Sequence, residues 1–108
     1  MRILSIRTYH EVENLLRDSY KESDADKNYI EAIAEIKNFF NKTPYKDFLN
    51  IFYLERHLYK NRYPSDRVLF THLCRQLYLQ EPTLYVIKKE IIYKSAMIFY
   101  KRNLIKGD

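Results

Sequence analysis

The sequence predicts an all-α protein, a compact domain of five helices with a long last helix. Three observations carry this reading. One Gly and three Pro leave few breakers in a chain that is 46% apolar, which argues against disorder and a turn-rich β fold. Apolar residues recur at helical spacing through most of the chain. The interruptions between those stretches carry residues that start helices. A length of 108 residues fits one domain over 1–108. It divides into an N-terminal helical pair (1–43) and a C-terminal core (44–106).

Thr8-Tyr9-His10-Glu11 has the form of a capping box and predicts a helix over about 9–22. Val12, Leu15, Leu16 and Tyr20 make its apolar stripe. Residues 1–7 are short and partly alternating, and read as an arm. Ser23-Asp24-Ala25-Asp26 breaks the pattern and offers N-caps. A second helix follows over about 27–41, with Tyr29, Ile30, Ile33, Ile36, Phe39 and Phe40 inward, together with Ala32 and Ala34. Thr43-Pro44 reads as an N-cap followed by Pro at the first helical position. The third helix, about 44–59, is apolar over more than half its circumference through Tyr45, Phe48, Ile51, Phe52, Leu54 and Leu58. It is expected to be the most buried. Residues 60–64 form a loop. Ser65-Asp66 caps a fourth helix, about 66–77, with Val68, Leu69, Leu73 and Leu77 inward. A turn at 78–80 leads into a fifth helix that starts near Glu81 or Pro82 and runs to about 103, with Gly107 past its end. Residues 91–100 are apolar nearly all round, so either the N-terminal helices or a second subunit must cover them.

The net charge is +5, and it is unevenly placed. Residues 1–55 hold 8 Lys/Arg and 10 Asp/Glu, a net −2, whereas residues 56–108 hold 11 and 4, a net +7. A basic half suits phosphate binding, because neutralising phosphates releases counterions. A single cysteine excludes an intramolecular disulfide and fits a reducing, cytoplasmic setting. The first residues lack the apolar run of a signal peptide, and no stretch approaches the roughly 20 apolar residues of a membrane span. No membrane insertion is expected.

Residues 70–87 read as a helix-turn-helix. Two helices crossing steeply need apolar residues where they touch and a small one at closest approach. Leu73, Leu77, Leu79, Leu84 and Ile87 sit at the apolar positions, and Cys74 at the close approach. On the fifth helix, Ile87, Ile91 and Ile98 fall on the side of Leu84. Glu81, Tyr85, Lys88, Lys89 and Ile92 are placed on the other. A polar face of this kind enters the major groove of double-stranded DNA. Lys88 and Lys89 reach phosphates or guanine edges; Gln80, Thr83 and Tyr85 reach phosphate oxygens or a thymine methyl.

Leu77-Tyr78-Leu79-Gln80-Glu81-Pro82-Thr83-Leu84-Tyr85 resembles the turn and recognition-helix start of sigma-factor region 4. With Lys88-Lys89-Glu90 and Ile98-Phe99-Tyr100 after it, the stretch is similar to phage late-gene transcriptional regulators of the RinA and ArpU type. The likeness covers about residues 48–102. It implies a transcription regulator acting on promoter DNA, with RNA polymerase as a partner. Three positions depart from the pattern. The usual turn Gly is Tyr78, the usual Ser cap is Gln80, and the frequent Arg after the Tyr is Val86.

Nothing in the sequence points to catalysis. His10, His57 and His72 have no metal-ligand spacing with one another or with Cys74. His72 and Cys74 are two apart on a helix and do not face each other. Glu31 and Glu35 read as a solvated face. Gly107 is the only glycine, so there is no Gly-rich phosphate loop. No enzyme, metal or cofactor is expected. The partners expected are duplex DNA and, as an alternative to internal covering of 91–100, a second copy in a homodimer. A second class stays open. Size and composition also resemble bacteriocin immunity proteins, or a small phage inhibitor of a host protein, either of which would bind protein and not DNA.

Overall fold

The structure, a computed structural model, describes residues 4–24 and 26–106. Residues 1–3 of the expected arm, together with Ala25, Gly107 and Asp108, lie outside the described residues. All regular structure among the described residues is helical: α1 (Ile6–Arg17), α2 (Lys27–Phe39), α3 (Tyr45–Phe48), α4 (Asp66–Leu77) and α5 (Glu81–Lys101), with shorter non-α helical segments between them.

α1 begins earlier than the capping-box reading places it. Ser5 is the N-cap, its Oγ accepting from the Thr8 backbone N–H at 3.1 Å, so Thr8 lies inside the first turn and Ile6 and Arg7 are already helical. Ser5 also donates its hydroxyl hydrogen to Thr8 Oγ1. Both residues can cap, and the earlier one does. The α-helix ends at Arg17, and Asp18–Asp24 tightens into 3₁₀ geometry broken at Lys21. Val12 and Leu16 are buried as expected, but Tyr20 lies in the 3₁₀ stretch, exposed and stacked on His57. Asp26 caps α2 through the Asn28 N–H. That helix buries Tyr29, Ala32, Ile33 and Ile36, with Phe40 just past its end, while Ile30, Ala34 and Phe39 face outward.

The third helix is not continuous. After α3 the backbone widens to π-helical geometry over Leu49–Leu54, closed by the Glu55 N–H donating to the Asn50 carbonyl, and then tightens to 3₁₀ over Arg56–Tyr59. Pro44 occupies the cap position itself, and Thr43 bonds Asp47. The widened turn lets three successive residues, Phe52, Tyr53 and Leu54, all be buried beside Phe48 and Leu49. A regular helix would spread three successive side chains over about 200°. The later shift in phase turns Leu58 out to solvent. α4 has the expected bounds, with Ser65 Oγ accepting from the Val68 N–H. Leu69, Phe70 and Leu73 point inward and Val68 outward.

α5 runs through the centre. Its buried residues are Leu84, Ile87, Ile91, Ile92, Ser95, Ala96, Ile98 and Phe99, and α1 and α2 pack against them. The N-terminal helices therefore cover the stretch that is apolar nearly all round. α5 ends at Lys101, two residues short of expectation, because Asn103 turns left-handed (φ 58°). Arg102 ties this end to α2, donating to Asn28, Glu31 and Glu35 while its carbonyl accepts from Asn28.

A buried carboxylate links three of these elements. Glu13 of α1 is 4% exposed. It accepts from the Tyr53 hydroxyl at 2.7 Å and lies 3.7 Å from both Arg17 Nη2 and Lys88 Nζ, with His10 Nδ1 at 3.2 Å. A buried carboxylate stripped of donors is costly, so the Tyr53 hydroxyl is a structural group. Tyr53→Phe is expected to lower the unfolding free energy by about 1–3 kcal/mol in urea titration; an unchanged midpoint would contradict this role.

Burial, and next the charge of Glu13, push the Tyr9 hydroxyl from its ordinary 10.0 up to about 12. The same two causes, in the same order, hold Tyr53 well above its usual range. Both folded-state values exceed the unfolded one, so the neutral forms favour the fold. That stability is complete below pH 10 and is lost as pH rises toward 12. Alkaline titration followed by circular dichroism and tyrosinate absorbance should show unfolding coupled to ionisation in that window. Full ionisation of all tyrosines near pH 10 with the helices intact would contradict it.

Candidate functional site

The α4–turn–α5 unit is built on a three-residue connection. Tyr78 adopts the left-handed conformation (φ 56°, ψ 42°) that ends α4. Its N–H donates to the Arg75 carbonyl, and the Leu79 N–H to the Cys74 carbonyl at 2.9 Å. This closes the helix end as a Gly would, with a side chain that is 95% exposed. Gln80 is extended and stands at the N-cap without a side-chain cap bond, and Glu81 and Pro82 open α5. Glu81 lies 3.8 Å from Arg67 of α4.

The inner side of the unit is apolar. Leu73 and Leu84 are fully buried, Ile87 nearly so, and Cys74, Leu77 and Leu79 are half-buried against the core. Burial first, then the charge of Glu81, raises the Cys74 thiol above its ordinary value. A protonated, half-buried thiol is a space-filling group rather than a nucleophile.

The outer side carries Gln80, Pro82, Thr83, Tyr85, Val86, Lys89 and Glu90, all exposed. Tyr85 is held flat, its ring stacked on Phe70 at 4.4 Å. Two residues expected on this side are not there. Lys88 turns inward, only 20% of its side chain exposed, into an ion pair with Glu13 and over the rings of Phe52 and Tyr9. Ile92 is fully buried. The reason lies in helix geometry: residue 88 stands only about 40° from Leu84, and 92 about 80°. Both therefore belong with the core side once α1 packs there.

Further along, the outer face of α5 and the end of α2 enclose an apolar groove of about 430 Å³, with Phe39, Val86, Tyr93 and Met97 on its walls. Lys94 lies 4.4 Å over the Phe39 ring, and Tyr45 donates to Glu90 at 2.6 Å. The periodicity reading missed this groove because it placed Phe39 inward beside Phe40. Phe40 stands past the last turn of α2, where the backbone leaves helical geometry (φ −102°, ψ 61°) and carries its ring to the core, while Phe39 stays on the outer face.

Among the described residues no cluster of three or more His, Cys, Asp or Glu is arranged to hold a metal ion. No described helix is long and apolar enough to cross a membrane. No family, curated protein or solved structure matches the chain.

The left-handed Tyr78 yields a direct test. A bulky L-residue in this conformation costs about 1–2 kcal/mol, partly offset against Gly by the entropy Gly loses on folding. Tyr78→Gly, which sacrifices almost no packing, is expected to stabilise the protein by about 0.5–1 kcal/mol in thermal or urea unfolding. Destabilisation would contradict the turn geometry.

Proposed function

We propose that this chain is a non-enzymatic DNA-binding regulator that docks the start of α5 in the major groove of duplex DNA. The observation that carries this reading is the α4–turn–α5 connection. It anchors α5 on one side through Leu84 and Ile87 and leaves the first two turns bare on the other. Helices that read base edges are presented in this way. In this reading Gln80, Thr83, Tyr85 and Lys89 face the groove, while Lys88 is a structural cation that holds α5 to α1. Arg67 and Arg75 of α4, both exposed, flank the same end and supply phosphate contacts. The likeness to phage late-gene regulators adds promoter DNA as the duplex and RNA polymerase as the partner, acting in the cytoplasm.

A second reading is a protein-interaction module without DNA binding. The apolar groove favours it, since protein surfaces that bind nucleic acid are polar and basic whereas this face carries Val86, Tyr93 and Met97.

Fluorescence anisotropy with random and genomic duplexes at two salt concentrations separates the two. The regulator reading expects binding at about 50 mM salt that weakens steeply as salt rises. Lys89→Ala should reduce the salt slope by about one. Lys88→Ala should leave the slope unchanged and lower the melting temperature instead. Absence of binding to any duplex at low salt would overturn the regulator reading in favour of the module.

A further inference from the structure

We propose that the outer face of α5 is a self-association surface, on which a second copy of this chain packs antiparallel through Val86, Tyr93, Met97 and Tyr100. A helix in the middle of a fold normally spends its apolar residues inward. α5 buries eight residues and still presents Val86 (56% exposed), Met97 (63%) and Tyr100 (48%) to solvent. Residues 86, 90, 93, 97 and 100 are separated by four, three, four and three positions, the spacing of a helix–helix seam. Phe39, 57% exposed, stands beside this seam and makes it a groove rather than a ridge.

The charges on the seam select a second copy as the occupant. Glu90 and Lys94 lie one turn apart on the same face, with opposite signs. A copy related by a two-fold axis at the level of residue 92, midway between the two, sets its own Lys94 near the first Glu90, and the reverse contact follows by symmetry. An occupant with charge of only one sign would leave either Glu90 or Lys94 facing its like. Both groups are already oriented within the chain, Glu90 by the Tyr45 hydroxyl and Lys94 by the Phe39 ring. The pairing covers Val86 and Lys89, so self-association and duplex binding compete for one face.

Sedimentation of the full chain, without DNA, from about 1 μM to about 1 mM tests this. A concentration-dependent monomer–dimer equilibrium is expected. Met97→Glu should raise the dimer dissociation constant at least about tenfold. Its helical signal, and its melting curve at concentrations where both proteins are monomeric, should stay unchanged, because Met97 is exposed in the monomer. Glu90→Lys should weaken the dimer, and adding Lys94→Glu to it should restore the association. A monomer throughout the range overturns the proposal, as does a dimer indifferent to Met97→Glu, or a double variant no tighter than Glu90→Lys. No nucleic acid enters the measurement, so its failure is separate from failure of the regulator reading.

Discussion

The structure depends on how α5 is covered. Its apolar residues occupy most of its circumference, and no single neighbour can bury them. α1 and α2 close over one side, α3 and α4 over another, and what remains bare is a strip from Gln80 to Tyr100. The position of that strip is therefore set by packing rather than by the strip's own residues. Fully burying one Leu or Phe is worth about 1.5–3 kcal/mol. The polar preferences of the exposed strip, worth a few tenths each, cannot redirect the helix.

The same packing explains the charge pattern. The acidic N-terminal half and the basic C-terminal half partly neutralise each other within the molecule. Glu13 meets Lys88, and Glu31 and Glu35 meet Arg102. The Glu13 pair is nearly dry and is held by the Tyr53 hydroxyl, whereas the Arg102 pairs are half-exposed and worth little individually. Part of the +7 excess of residues 56–108 is thus spent inside the fold. The cations left for an external anion near α5 are fewer than the sequence suggests. Lys89, Arg75 and Lys101 are exposed, and Arg67 is shared with Glu81.

Local chemistry made much of this legible from sequence. Asp26, Ser65 and the Gln80-Glu81-Pro82 run mark helix starts because capping depends on a few adjacent atoms. The bounds of α4 follow from the same signals, and the burial of both Leu73 and Leu84 from their helical spacing. What was hidden depends on partners distant in sequence. The π-helical turn at Leu49–Leu54 has no local mark, since its residues keep an ordinary apolar pattern; it forms because Phe52, Tyr53 and Leu54 must all reach the core. Ser5 and Thr8 are equivalent as caps on paper, and the fold uses Ser5. Lys88 and Ile92 are a different case: a spacing of 100° per residue already sets them about 40° and 80° from Leu84, on the core side, and the expectation that they face outward misapplies that spacing. The outer residues Thr83, Tyr85 and Lys89 were placed by spacing alone, and the groove beside Phe39 required α2 and α5 together.

The covering of α5 by α1 is tested most directly by the relative reactivity of two adjacent amines. Limited acylation of the native protein, read residue by residue with tandem mass spectrometry, should modify Lys89 rapidly and leave Lys88 protected until the protein unfolds. Glu13→Gln should speed the modification of Lys88 without changing that of Lys89. Equal native-state rates at Lys88 and Lys89 would contradict the arrangement, because both lysines would then stand on the open side of the helix.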